Sequence, residues 1–167
     1  MIDVRCDVAH GRQFTPALRK EARVVLRLLQ LGAAELSILL TDDQAIRELN
    51  RVYRGKDQPT DVLSFAQQDE LAADGARRAG EAAPDRPPFP LGDIVISLDT
   101  ATRQAAALAL ATPARLRTLL IHGILHLLGY DHERSPAAAR RMFAQERELA
   151  AHLDPAPTLA TPAPLGP

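Results

Sequence analysis

The stretch "LLIHGILHLLGYDHE", residues 119–133, places three of the chain's five histidines within eleven positions. Its closely spaced apolar residues predict a core helix. On a helix, residues four apart project from one face, so His122 and His126 should lie side by side. Gly129 readily takes the left-handed conformation that ends a helix. The chain can then turn and bring His132 back toward the other two, so the stretch predicts a helix that carries a histidine cluster.

This cluster has two interpretations, a packed core or a metal site. A histidine on an apolar helix is usually a core residue, but the helix-ending glycine and the third histidine favour a metal. Three neutral imidazoles suit one Zn²⁺ per chain, and also nickel, cobalt or iron. Three protein ligands leave a position for water, which is typical of catalytic zinc. A closed structural site would need a fourth ligand such as Asp131 or Glu133. At a catalytic site these two carboxylates could serve as base, but their position beside the third histidine favours a role in orienting a histidine.

The rest of the chain alternates between strand and helix patterns. Runs rich in branched and aromatic residues predict strands, and apolar residues at intervals of three and four predict helices. The predicted strands are 2–9, 35–42, 61–67 and 93–98, and the predicted helices are 15–32, 42–55, 100–110, 112–129 and 135–153. This order is typical of an α+β fold. We expect a single domain with one mixed sheet of about four strands and about five helices.

The ends of several helices carry recognisable signals. Thr15, Thr112 and Ser135 each precede a proline, a pattern that predicts an N-cap followed by the first helical turn. Gly32 and Gly55 are predicted to end the first two helices.

Two proline-rich segments set the expected domain boundaries. Residues 68–90 are rich in proline, small and charged residues and predict a surface loop, because a strand pattern resumes directly after them. Residues 154–167 contain five prolines and little to bury, and they predict a disordered tail. The folded domain should therefore span residues 1–153.

Charge and composition limit the classes of partner. The net charge of −1 does not indicate a nucleic-acid-binding protein, but residues 47–56 hold four cations and one anion. This segment is either a local basic surface or a solvated helix face. No apolar run reaches the roughly 18 residues of a membrane span. The single cysteine, Cys6, excludes an internal disulfide, and with no membrane segment this fits a cytoplasmic protein.

The histidine spacing also matches the ligand frame of metzincin proteases. Those enzymes carry a glutamate directly after the first histidine as general base, and here Gly123 takes that place. A glycine inside a helix costs about 1 kcal/mol relative to alanine, which suggests that another group approaches the backbone there. Zinc lowers the pKa of bound water to about 7 without such a base. A phosphodiester would then need a cation, and Arg54 and Lys56 are candidates at the end of a predicted helix. An arginine there could bind a phosphate through two hydrogen bonds; alternatively it only faces the helix dipole.

Three blocks of the sequence resemble the YbeY family of bacterial endoribonucleases. The segment "HGILHLLGYDH", 122–132, is similar to the family's H-G-x-L-H-L-x-G-Y-D-H signature. The segments "LNRVYRGKDQPTDVLSF", 49–65, and "LGDIVIS", 91–97, resemble its second and third blocks in the same order. One departure is Ala66, where the family usually has proline.

The resemblance implies a zincin-like α+β fold and a cytoplasmic, zinc-dependent endonuclease for single-stranded RNA. It implies that His122, His126 and His132 bind the zinc and that Arg54 matches the family's functionally important arginine. The implied partners are precursor 16S rRNA, whose 3′ end the family matures, and the ribosome or small-subunit assembly proteins in quality control.

Two other functions remain open on the sequence alone. One is a zincin-type metallopeptidase on the same ligand frame. The other is a non-catalytic ribosome-assembly factor in which the metal only stiffens the fold.

Overall fold

The computed structural model describes residues 1–67 and 87–153. This part of the chain contains four strands and five α-helices, in the predicted order. The strands are β1 (Ile2–Cys6), β2 (Ala34–Thr41), β3 (Val62–Ala66) and β4 (Phe89–Ser97). The helices are α1 (Thr15–Leu28), α2 (Asp43–Arg54), α3 (Leu98–Ala107), α4 (Thr112–Leu127) and α5 (Pro136–Ala151). A short 3-10 helix, Ala9–Phe14, precedes α1 and was not predicted.

The four strands form one mixed sheet in the order β1-β2-β4-β3. β1 pairs with β2 and β2 with β4 in parallel, whereas β3 runs antiparallel to β4. The prediction of an α+β domain with one mixed sheet is therefore confirmed. Because β3 is the last strand of this sheet, its outer edge has no strand partner within residues 1–67 and 87–153.

The two faces of the sheet are covered unequally. On one face, Ile46 of α2 packs against Leu63 and Val95 in a small cluster. The opposite face carries the main core, where Ile94 and Ile124 are both fully buried, together with residues of α1, α4 and α5. Burying one such side chain contributes about 1.5–3 kcal/mol. The free edge of β3 therefore lies between α2 on one face and α4 on the other.

Three of the predicted helix-end signals function as expected. The hydroxyl of Ser135 accepts a hydrogen bond from the backbone N–H of Ala138 at the start of α5. Gly55 has a φ of 67° after α2, and Gly129 has a φ of 82° after α4. Both glycines take the left-handed backbone that favours a residue without a Cβ.

The other three predicted signals, at Thr15, Thr112 and Gly32, do not have the expected roles. Thr15 and Thr112 are the first helical residues and not N-caps. The backbone of Thr15 is already helical because the 3-10 helix runs directly into α1, and its hydroxyl donates to the carbonyl of Arg12. Helix α1 ends at Leu28, and the left-handed turn after it falls on Gln30, with a φ of 59°, and not on Gly32.

Residues 68–86 of the predicted loop and the whole predicted tail, 154–167, lie outside the described residues. The end of the predicted loop needs a correction, because Phe89 and Pro90 already belong to β4. Phe89 is buried in the main core and pairs with Ala34 of β2, so tertiary contacts extend the strand back beyond the apolar run seen in the sequence.

Within 1–67 and 87–153, no single helix has the length and apolar character needed to cross a membrane. Only α3 and α4 taken together meet those criteria, and they are bent by 116° at their junction.

Candidate metal centre

The three histidines of the opening stretch lie together at the end of α4. His122 and His126 stand one turn apart on this helix, with 2.9 Å between their Nε2 atoms. The left-handed Gly129 reverses the chain, and the ring of His132 then comes within 5.1 Å and 5.2 Å of the other two ring centroids. One ring nitrogen from each histidine lies within 4.8 Å of the other two. Such a set can hold a single metal ion.

The imidazole of His126 is held in its neutral form. Burial, followed by electrostatic repulsion from His122 and His132, lowers its pKa from the ordinary 6.5 to about 4. Arg54 acts in the same direction, whereas Asp131 opposes it. A metal ligand must present a free lone pair, so a histidine that stays neutral at neutral pH is suited to bind a cation.

His132 provides an independent test of whether a metal fits this site. Its Nδ1 atom is buried and has no hydrogen-bond partner among the described residues. Buried polar atoms nearly always have a partner, so an orphaned ring nitrogen beside two other imidazoles needs one. Three neutral imidazoles form a donor set suited to zinc and similar divalent metals, so the residues fit such an ion.

A carboxylate from α5 orients His122. Oε1 of Glu146 lies 2.6 Å from Nδ1 of His122, and both side chains are largely buried. Nδ1 must carry the proton to make this contact, which leaves the Nε2 lone pair directed toward the other histidines. Metal-binding histidines commonly donate their second nitrogen to a carboxylate in this way.

Glu146 was not predicted from the sequence, which offered Asp131 and Glu133 as the carboxylates nearest the histidines. Asp131 instead accepts a hydrogen bond from the backbone N–H of Glu133 at 2.8 Å and so braces the turn that carries His132. A signal for Glu146 was present in the sequence. Glu146 follows Met142, whose side chain is buried, by four residues. The two therefore share one side of α5, which places a carboxylate on the apolar side of the helix.

The histidines form one wall of a cleft of about 320 Å³. The opposite wall comes from α2, from the loop after it and from the free edge of β3, and the lining residues include Asn50, Arg54, Lys56 and Ser64. The structure therefore brings Arg54 and the three histidines to the same cleft, although 68 positions separate Arg54 from His122 in the sequence.

The basic segment 47–56 divides into two groups. Arg47 pairs with Asp57 and Arg51 pairs with Glu48 on the exposed side of α2, so these two match a solvated helix face. Arg54 and Lys56 line the cleft, and the described residues provide neither with a hydrogen-bond or ion-pair partner. Within the described chain no carboxylate forms an ion pair with these two cations, although Asp61 and Glu133 line the same cleft.

Asp61 lines the cleft, and both of its carboxylate oxygens accept hydrogen bonds. Its Oδ2 accepts hydrogen bonds from Arg115 at 3.2 Å and from Gln104 at 3.1 Å, and its Oδ1 accepts one from the backbone N–H of Val62. Arg115 also donates to Gln104, which closes the network. This network fastens the start of β3 to α3 and α4 and so determines the position of the cleft wall.

Gly123 allows α4 to lie close to the sheet. A Cβ atom at this position would come within 3.0 Å of two side-chain atoms of Ile94. The hydroxyl of Ser64 also donates to the carbonyl of Gly123 at 3.2 Å. The close approach inferred from the glycine is therefore made by β4, and a glutamate here would have to displace the buried Ile94.

The sequence matches one known protein family. A sequence model of the family described as Endoribonuclease YbeY matches residues 8–154. Over 141 residues the chain is 48% identical to the Endoribonuclease YbeY of Geobacter sulfurreducens, covering 84% of this chain and 87% of that relative. Over 149 residues it is 48% identical to the Endoribonuclease YbeY of Myxococcus xanthus, covering 87% of this chain and only 46% of that longer relative.

The fold is shared with solved structures. One of them is the solution structure of a protein from Thermotoga maritima, with a TM-score of 0.60 and 25% sequence identity. The match covers 89% of this chain and 86% of the other.

Proposed function

The chain belongs to the YbeY family, and on this basis we propose that it is a metal-dependent endoribonuclease that cleaves single-stranded RNA during rRNA processing. The observation that carries the proposal is the meeting of His122, His126, His132 and Arg54 in one cleft. Such a cleft offers a place for a divalent metal and a separate cation for an anionic substrate.

His122, His126 and His132 would hold the metal, which we propose to be one Zn²⁺ per chain. Bound zinc acts as a Lewis acid and lowers the pKa of water to near neutrality. Glu146 would keep His122 in the tautomer that binds the metal.

Arg54 would bind the phosphate of the scissile bond. Its guanidinium presents a planar set of donors that matches two phosphate oxygens at once. Because no described residue forms an ion pair with Arg54, its guanidinium is available to the substrate. Negative charge grows on the phosphate oxygens in the transition state, and a fixed cation stabilises that charge more than it stabilises the ground state.

The substrate that we propose is precursor 16S rRNA, at the step that matures its 3′ end, with a further role in ribosome quality control. The net charge of −1 gives the chain little general attraction for RNA. The ribosome or small-subunit assembly proteins would then position the substrate, and the protein would act in the cytoplasm, where these partners are.

A metallopeptidase is disfavoured by the packing of α4. The glutamate that such an enzyme needs directly after the first histidine would meet Ile94 at position 123. An assembly factor with a structural metal differs from the proposed enzyme in one measurable property, RNA cleavage.

The test compares the purified wild type with a His122→Ala/His126→Ala variant. We expect about one zinc per wild-type chain and cleavage of a precursor 16S rRNA fragment, with both lost in the variant. His10→Ala, an exposed histidine outside the cleft, is the matched control and should keep both. Circular dichroism and melting temperature will show whether each variant is folded.

Two outcomes would count against the proposal. A metal-free wild type that cuts RNA no better than the double variant would overturn it. A folded His126→Ala protein that loses its metal and still cleaves RNA would assign the metal a structural role only.

A further inference from the structure

Aromatic residues are scarce in this chain, and their distribution is uneven. There are two tyrosines, four phenylalanines and no tryptophan, and all six lie in the described part of the chain. Four of them are buried or half-buried. The remaining two, Tyr53 and Phe143, keep 65% and 41% of their surface exposed. Tyr53 directly precedes Arg54, which lines the histidine cleft, and Phe143 contacts the ring of His132.

Tyr53 lies on α2, the helix that provides two of the residues lining the cleft. It precedes Arg54 and follows Asn50 by three residues, and both of these line the cleft. Its ring meets the ring of Phe65 nearly edge to face, with centroids 5.1 Å apart and an interplanar angle of 67°. Phe65 therefore steadies the Tyr53 ring without covering it. An aromatic ring that is held in place and still exposed is suited to stack on a ligand.

Phe143 borders the cleft on the other face of the sheet. It lies on α5 next to the buried Met142, and its ring centroid is 5.9 Å from that of His132, with an interplanar angle of 36°. One side of this ring is thus supported by the histidine cluster, and 41% of the side chain faces solvent.

We propose that Tyr53 and Phe143 are stacking platforms for two unpaired bases that flank the phosphate bound in the cleft. This inference rests on the proposed function, since it specifies how the same cleft would recognise its RNA. Bases in a duplex are stacked and paired, whereas bases of a single strand can be splayed onto aromatic side chains. Arg54 and Lys56 line the cleft and would provide the positive charge that the RNA backbone needs there.

The absence of tryptophan allows a direct optical test. Tyr53→Trp and Phe143→Trp each create a protein with one tryptophan, whose fluorescence a stacked base quenches. The control is Leu28→Trp, since Leu28 is 40% exposed and lies on α1, away from the cleft. The probe is a short 2′-O-methyl RNA, which resists cleavage, offered as a single strand and as a duplex.

We expect quenching at positions 53 and 143 with the single strand and little with the duplex, and none at position 28. Tyr53→Ala and Phe143→Ala should each raise the Kd for labelled single-stranded RNA about fivefold or more, measured by anisotropy, whereas Tyr53→Phe should bind as the wild type does. With cleavable RNA, the loss should appear in KM more than in kcat. Metal content is measured in each variant, so that an effect of Phe143→Ala through His132 is recognised.

The inference is overturned if the wild type binds RNA but two effects are missing. These are quenching of the tryptophan at positions 53 and 143, and weaker RNA binding by the alanine variants. That result would leave the proposed function intact. A wild type that neither binds nor cleaves single-stranded RNA would overturn the inference and the proposed function together.

Discussion

Glu146 and His122 are 24 positions apart in the sequence and meet with 2.6 Å between Oε1 and Nδ1. The contact joins α5 to α4 and determines which nitrogen of His122 faces the other two histidines. It makes α5 part of the candidate metal site, although this helix carries none of the three clustered histidines.

Replacing Glu146 should weaken metal binding. We expect Glu146→Ala to lower the affinity for zinc about 10- to 100-fold, because His122 loses the partner that holds its tautomer and orientation. Competition with a chelator measures this affinity. The matched control is Glu148→Ala on the same helix, whose exposed carboxylate contacts no histidine among the described residues. Equal affinities in the two variants would contradict the role given to Glu146.

Replacing Arg54 should reduce cleavage and leave the metal in place. We expect kcat/KM for RNA cleavage to fall about 100- to 1,000-fold in Arg54→Ala, the usual effect of removing one group that stabilises transition-state charge. Arg54→Lys should be intermediate, since it keeps the charge but loses the planar fork. Arg51→Ala, which removes an arginine already paired with Glu48, should retain activity. Unchanged cleavage by Arg54→Ala would contradict the proposed role of Arg54 in binding the phosphate.

Adding a methyl group at Gly123 should destabilise the fold. Alanine favours the helix by about 1 kcal/mol, but crowding against the buried Ile94 costs about 1–3 kcal/mol, so we expect Gly123→Ala to lower the free energy of unfolding. Urea denaturation measures this change. Combining it with Ile94→Val, which makes room at the contact, should cost less than the sum of the two single changes. A more stable Gly123→Ala protein would show that α4 can move away from β4.

Asp43 provides a pH-dependent contribution to stability away from the cleft. Burial alone would raise the pKa of Asp43, but hydrogen bonds from Ser97, Thr100 and Arg103, with the charge of Arg103, outweigh it and hold the pKa below the usual 3.8. The folded state therefore favours the carboxylate. This stabilisation is fully present above pH 3.8 and is lost as the pH falls through the lower, folded-state pKa.

We expect Asp43→Asn to lower the free energy of unfolding by about 1–3 kcal/mol at pH 7, since hydrogen bonds to a charged group are lost. The difference from the wild type should shrink as the pH is lowered below 3.8, which urea titrations at several pH values measure. Glu48→Gln on the same helix removes only an exposed pair with Arg51 and is the control. A difference that stays constant at all pH values would contradict this account.

Features set by neighbouring residues could be predicted from the sequence. The pairing of His122 with His126 follows from a spacing of four on a helix, and the turns at Gly55 and Gly129 follow from the glycine backbone. The prediction of Thr15 as an N-cap was wrong because the structure there depends on more than neighbouring residue types. The helical backbone there is imposed by the preceding 3-10 helix, which no capping pattern reveals.

The sequence by itself determined the order of strands and helices and the clustering of the three histidines, because period, capping and spacing act over a few residues. Only the tertiary structure decided that Glu146 supports His122, that Arg54 reaches the histidine cleft while Arg51 does not, and that Ile94 occupies the space beside Gly123. Those relationships arise where β3, α2 and α5 pack around the end of α4. Such packing depends on the complementary shapes of side chains far apart in the chain, which a local pattern does not contain.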